Sequence, residues 1–202
     1  GKFDNLTATE GANDTLIVTA TYKLGSLQKA EWHIAPDGGA RLVYSYIFNG
    51  VVDLMGVKFD LPETEVKHKE WLGCGPYRVW KNRIHGPQLG VWANDYNDPV
   101  PGESFDYPEF KGYFAGVQWM KLQTKTGMIT ICPGTDKDYV GVYQPRDGRD
   151  QLLYTLPETG ISMMQVIPAV RNKVNTTDLN GPSAQPVWAN GSYTGEVTLH
   201  FD

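Results

Sequence analysis

Two cysteines, Cys74 and Cys132, are all that the 202 residues contain. They lie far apart and in no C-x-x-C spacing, which excludes a disulfide framework and a cysteine-based zinc site. Buried free thiols are the expected state, because unpaired cysteine is among the most buried residue types, with a single disulfide as the alternative. No apolar run approaches the ~20 residues that cross a bilayer, so no membrane partner is expected. No cluster of lysine and arginine occurs, and 18 basic against 23 acidic residues leave a net charge of −5. A phosphate backbone is repelled on balance, and nucleic acid is not expected as a partner. A P-loop, a G-x-G-x-x-G and a G-x-S-x-G are missing as well, which leaves nucleotide cofactors and serine-hydrolase chemistry without support. The four histidines include no H-E-x-x-H and no pair at ligand spacing, so neither a metal nor any other cofactor is expected. Residues Gly1–Asn5 lack the charged and apolar regions of a signal peptide, and the chain reads as a piece of a longer protein. Sequons at Asn5, Asn13, Asn175 and Asn190 matter only in a eukaryotic secretory host.

Helical periodicity is also scarce. Asp150 to Leu156 and Met163 to Val170 are the best short helical candidates, stopped or interrupted by Pro157 and Pro168. What dominates is period-two alternation, as in Val57 to Leu61, Val117 to Leu122 and Val197 to Phe201, the pattern of half-buried strands. Leu16 to Tyr22, Ala30 to Ile34 and Leu42 to Phe48 are rich in β-branched and aromatic residues. The last two flank Pro36-Asp-Gly-Gly39, which predicts a hairpin, and Lys125-Thr-Gly127 predicts a second one between Val117 to Leu122 and Met128 to Ile131. Many short strands with turn signals between them predict an all-β fold, a large antiparallel β-sandwich forming one domain over residues 1–202. The Pro- and Gly-rich stretch from Gly86 to Gly116 has too little pattern for a core element and is expected to be a long contact loop.

The candidates for chemistry are few. A retaining glycosidase needs two carboxylates ~5 Å apart in contrasting environments. Nothing marks such a pair here: Asp106, Glu109, Asp136 and Asp138 read as solvated loop carboxylates, and no catalytic residue is assigned. His33, His68 and His200 sit in strand patterns and are expected to pack or lie exposed, whereas His85, beside the long loop, can donate to a sugar hydroxyl. Six Trp and 11 Tyr provide rings of the kind that stack on the C–H face of a pyranose. Trp32, Trp71 and Trp119 are expected to fill the core; Trp92 and Trp188 fall in or beside loop-like sequence, and Trp188 is expected to be the exposed one.

The run Glu70-Trp71-Leu-Gly73-Cys-Gly75-Pro76-Tyr-Arg-Val-Trp80-Lys-Asn82-Arg83 resembles the W-x-G-x-G-P-x-x-x-Y/W-x-D-R motif in the last domain of family 2 β-galactosidases. Gly90, Pro108-x-x-x-Gly112 and Val117-x-Trp119 are similar to elements that follow it there, in matching spacing. Asn82 replaces the family's Asp, Cys74 stands where Arg or Leu is frequent, and Glu109 lies one position early. The resemblance implies a supersandwich of the galactose-mutarotase-like type, joined in the parent hydrolase to further domains including a catalytic (β/α)8 barrel that carries both catalytic glutamates. It implies a non-catalytic role, with Arg83, His85, Glu109 and Trp188 as carbohydrate-binding candidates, and a parent that is periplasmic or secreted. A domain cut from such a parent is expected to expose an apolar docking face. A free-standing carbohydrate-binding module and a sugar 1-epimerase are the alternatives that the same architecture allows.

Overall fold

The computed structural model describes residues 1–61, 65–95, 112–142, 160–169 and 181–202, and no α-helix occurs among them. The first four strands form a meander of β1 (Lys2–Glu10), β2 (Leu16–Leu24), β3 (Leu27–Ile34) and β4 (Ala40–Val52). The expected hairpin between β3 and β4 turns at Gly38, whose φ of +87° suits glycine, while the Asp37 carboxylate accepts from the Gly39 amide at 2.9 Å. A second run comprises β6 (His68–Gly75), β7 (Gln88–Asn94), β8 (Trp119–Gln123) and β9 (Met128–Pro133). Its β8–β9 hairpin closes where Thr124 donates its amide to the Gly127 carbonyl at 2.8 Å. The long final strand β12 (Val187–Phe201) lies between the two runs, so the sheet reads β1-β2-β3-β4-β12-β9-β8-β6-β7 and is antiparallel throughout.

A second sheet of three antiparallel strands, β10 (Tyr139–Gly141), β11 (Ile161–Val166) and β5 (Met55–Phe59) in the order β10-β11-β5, covers part of one face. The core lies between the sheets. Tyr44 on β4, Trp71 on β6, Met120 on β8, Ile131 on β9 and Val197 on β12 meet Val140 on β10 and Met163 on β11, all at most 1% exposed. Two-fold alternation places these residues on one side of the large sheet, with Ser45, Glu31, Lys121 and Thr198 on the other.

The motif glycines have a packing reason. Trp71, Gly73 and Gly75 point to the same side of β6, and a Cβ at Gly75 would fall 2.6 Å from the Trp92 indole. At Gly73 it would lie 3.1 Å from the Val117 backbone, and at Gly90, 3.2 Å from Trp92 Nε1. The indole of Trp92 therefore lies across a glycine floor, held by its own donation to the Gln88 carbonyl at 3.1 Å.

Several expectations change. The helical candidate Met163 to Val170 shows no helix over its described residues: Ile161–Val166 is the central strand of the small sheet, with Ile161 to Met164 buried on both faces, so the period-two signal disappears and an apolar run remains. Gly86 to Gly116 is not all loop, since β7 occupies Gln88–Asn94. There Gly90 and Trp92 face inward while Leu89 and Val91 face solvent, which inverts the usual polarity. Trp71 is fully buried as expected, but Trp32 and Trp119 are half-buried, Trp119 because its register with Leu72 puts it on the outer side. Cys74 and Cys132 are free, and only partly buried instead of being enclosed, because both alternate to that outer side. Asp150 to Leu156 lies outside the described residues.

Candidate functional site

Residues 76–87 connect β6 to β7 and carry two of the four carbohydrate-binding candidates. Val79 and Tyr113 exchange backbone hydrogen bonds of 2.7 and 2.9 Å, and Trp80 and Arg83 exchange another pair of 3.2 and 2.8 Å, which makes Trp80 to Arg83 a tight turn. Trp80 is buried and edge-on to Tyr113 at 6.1 Å, in a small cluster with Met164 and Ile167. The ring anchors the turn, and Arg83, Ile84 and His85 project into solvent from it. Gly112 is required beneath, since a Cβ there would fall 2.7 Å from the Val79 carbonyl. Arg78 is buried on the inner side of this loop, its guanidinium 4.7 Å above the Phe114 ring, which in turn meets Trp71 edge-on at 4.8 Å.

The same loop is tied to the segment that leads into β12. The Lys81 amide donates to the Pro168 carbonyl at 3.0 Å, and its ammonium donates to the Gln185 carbonyl, three residues before Trp188. Trp188 is 73% exposed, as expected, and lies beside the preceding connection as the second residue of β12, opposite Val51 of β4 on the outer side of the sheet. The fold thus brings the Arg83–His85 turn and the approach to Trp188 to one end of the sandwich. Among the described residues no hydrogen bond or ion pair joins these three side chains directly. Glu109 and Asp106 lie outside the described residues.

A polar group that the sequence did not reveal lies between the sheets. Asp138 is buried, not a solvated loop carboxylate, because it immediately precedes β10 and turns inward; Asp136 is exposed. Among the described residues neither Asp138 Oδ2 nor the Tyr44 hydroxyl has a hydrogen-bond partner. Burial pushes the Asp138 carboxyl above the usual carboxylate range. Burial, and then the Asp138 charge, push Tyr44 up as well and raise Tyr46 to about 12. Tyr46 donates to Gln165 Oε1, and its ring stacks on Tyr193 at 5.4 Å. Nothing short of the tertiary fold brings these residues together.

Asp138→Asn is expected to stabilise the fold near pH ~7, where burial opposes the charge. The native pKa lies above the unfolded ~3.9, so the native state takes up its proton first as pH falls, and the gain disappears once both states are protonated. Urea unfolding of both proteins at about pH 7 and about pH 3.5 measures this; an equal gain at both values would exclude the carboxylate charge as the cause.

Elsewhere, Glu31 accepts from His33 at 2.9 Å and from Lys29 at 3.2 Å, which holds its carboxyl below the usual range. Among the described residues no group of three or more His, Cys, Asp and Glu converges as a metal site would require.

Residues 2–169 match the family model described as beta galactosidase small chain. The chain belongs to that family. It is therefore a glycoside-hydrolase-associated small-chain domain, and the glycine floor under Trp92 and the Trp80 anchor are where the motif that suggested the family finds its structural use. No curated protein sequence matches it. Among solved structures, the small-chain domain is similar to a protein from Escherichia coli K12 assigned as an aldose 1-epimerase, at 11% identity and a TM-score of 0.39 over 98% of this chain and 69% of that one. It is also similar to a galactose mutarotase related enzyme from Lactobacillus acidophilus, at 5% identity and a TM-score of 0.38 over 98% and 71%.

Proposed function

We propose that this chain is the non-catalytic last domain of a β-galactosidase-like hydrolase, supporting a catalytic barrel and lending side chains to the rim of its sugar site. The observation that carries the reading is the family match across residues 2–169. The clustering of the Arg83–His85 turn with the approach to Trp188 at one end of the sandwich supports the rim role. An exposed indole offers an apolar face to the C–H side of a pyranose, and Arg83 and His85 offer donors to its hydroxyls.

The test is kinetic. In the complete hydrolase, Trp188→Ala is expected to raise KM roughly tenfold with kcat little changed, the scale of one lost aromatic contact of ~1 kcal/mol or slightly more. An unchanged KM would remove Trp188 from the site. Accelerated galactose mutarotation by the purified 202-residue chain would overturn the non-catalytic assignment.

A further inference from the structure

The cover over the large sheet stops short, and the place where it stops is informative. Gln165 of β11 accepts from Tyr46 of β4 and donates to the Thr194 carbonyl of β12 at 2.7 Å, so β11 lies over the β4–β12 pair. Phe59 of β5 meets Trp32 of β3 edge-on at 6.1 Å. One step across the small sheet, from β11 to β5, is therefore one step across the large one, from β4 to β3. The next step would cover β2 and β1. There the cover ends, since among the described residues β5 pairs only with β11.

Beneath the missing cover lies a face of core character. Continuing the register from Trp32 and Leu42 outward, the inward positions include Leu16, Val18, Ala20 and Tyr22 on β2, with Phe3, Leu6 and Ala8 on β1 and the charged Glu10 at its far end. The opposite side of the same strands shows mainly threonine, with Thr7, Thr9, Thr19 and Thr21, and Ile17 opposite Thr9. This is the alternation of a sheet with one buried face, yet Phe3, Leu6 and Leu16 are 57%, 58% and 43% exposed, while Leu42 and Tyr44 on the covered part of that face are 5% and 1%. The free edge of β1 is broken by register shifts around Phe3, a feature that discourages lateral pairing. The edge of β5 is the one that borders the bare face.

We infer that another domain of the same polypeptide docks on this face, adding an extended segment to the free edge of β5 with its apolar side down on β1 and β2. This rests on the proposed reading of the chain as one domain of a larger hydrolase. The area identifies the kind of occupant. The two uncovered strands, nine residues each, ~4.8 Å apart and rising ~3.4 Å per residue, present roughly 300 Å². Covering it buries roughly 600 Å² in total, the lower end of the ~600–1,500 Å² of contacts between domains of one chain and far short of the ~1,600 Å² typical of separate molecules. A tethered domain is held at high effective concentration and needs no larger surface.

Hydroxyl-radical labelling read by mass spectrometry tests this on the free 202-residue chain and on the complete polypeptide. Phe3, Leu6 and Leu16 are expected to label strongly in the free chain and about tenfold less in the complete protein. Equal labelling in both overturns the inference. So does protection in the free chain, which would mean that the chain covers the face itself if it is independent of concentration, or that a second copy does if it grows with concentration. A polypeptide without a hydrolase domain would defeat the functional proposal, and this inference with it, at the sequencing stage; a hydrolase domain with a labelled face would defeat this inference alone. Leu6→Arg supplies a second readout: little change in the melting temperature of the free chain, and about tenfold faster proteolysis at the domain junction of the complete protein. The same response in both proteins would overturn the inference.

Discussion

Trp71→Ala is expected to cost about 4 kcal/mol, the middle of the ~3–5 kcal/mol range for a buried aromatic truncated in a core. Trp71 is fully buried, edge-on to Phe114 at 4.8 Å, paired with Met120 on β8 and Trp92 on β7, and its indole N–H reaches the Cys74 carbonyl at 3.3 Å. Removing it opens a cavity beside Phe114, on whose ring the Arg78 guanidinium rests, and the surrounding strands cannot collapse into the space without breaking register. Urea unfolding should show a lower midpoint with an unchanged slope. Trp188→Ala in the same assay should stay within about 0.5 kcal/mol of the parent, because that ring is mostly in solvent. Equal losses for the two tryptophans would mean that the core does not lie between the two sheets.

Gly75→Ala comes next in size, at about 3 kcal/mol, the upper part of the range for overpacking. The added methyl would lie 2.6 to 2.8 Å from three atoms of the Trp92 indole, a rigid ring already fixed by its bond to Gln88. Trp92→Ala removes the obstacle at its own cost in packing. The double variant should then be distinctly more stable than the sum of the two single losses allows, and strictly additive costs would show that the ring and the glycine do not meet.

Strands with one wet face were legible from the chain alone: both hairpins, at Gly38 and at Gly127, appear where alternating residues flank glycine turns. Strands without that contrast were not. In β11 both faces are buried, and in β7 the glycine-lined side faces inward while Leu89 and Val91 face out, so neither shows the hydrophobic alternation that marks a strand. The motif from Trp71 to Arg83 identified the family because several of its fixed residues meet a steric demand, with glycine where Trp92 or Val117 crowds and Trp80 where a turn needs an anchor. Asp138 reads as solvated from the sequence because a carboxylate before a three-residue strand has the same local sequence whether it turns toward water or toward Tyr44. Trp188 sits where it was expected, beside the 181–186 connection and exposed, while the length of β12 was not legible, because Gly191 and Gly195 interrupt its pattern without interrupting its pairing with β4.

The position of β12 has a consequence for synthesis. The strands β1 to β4 pair with their sequence neighbours, and β6 to β9 pair within a second local run, so each half can assemble while the chain emerges from the ribosome at ~5–20 residues per second. The seam between them is made by residues 187–201, which every other strand of the sheet precedes. Until those residues are translated, β4 and β9 each present an unpaired edge, and a nascent chain must wait with two half-sheets open to aggregation or to a chaperone. A premature stop before Val187 therefore yields two unjoined half-sheets and not a slightly shortened domain.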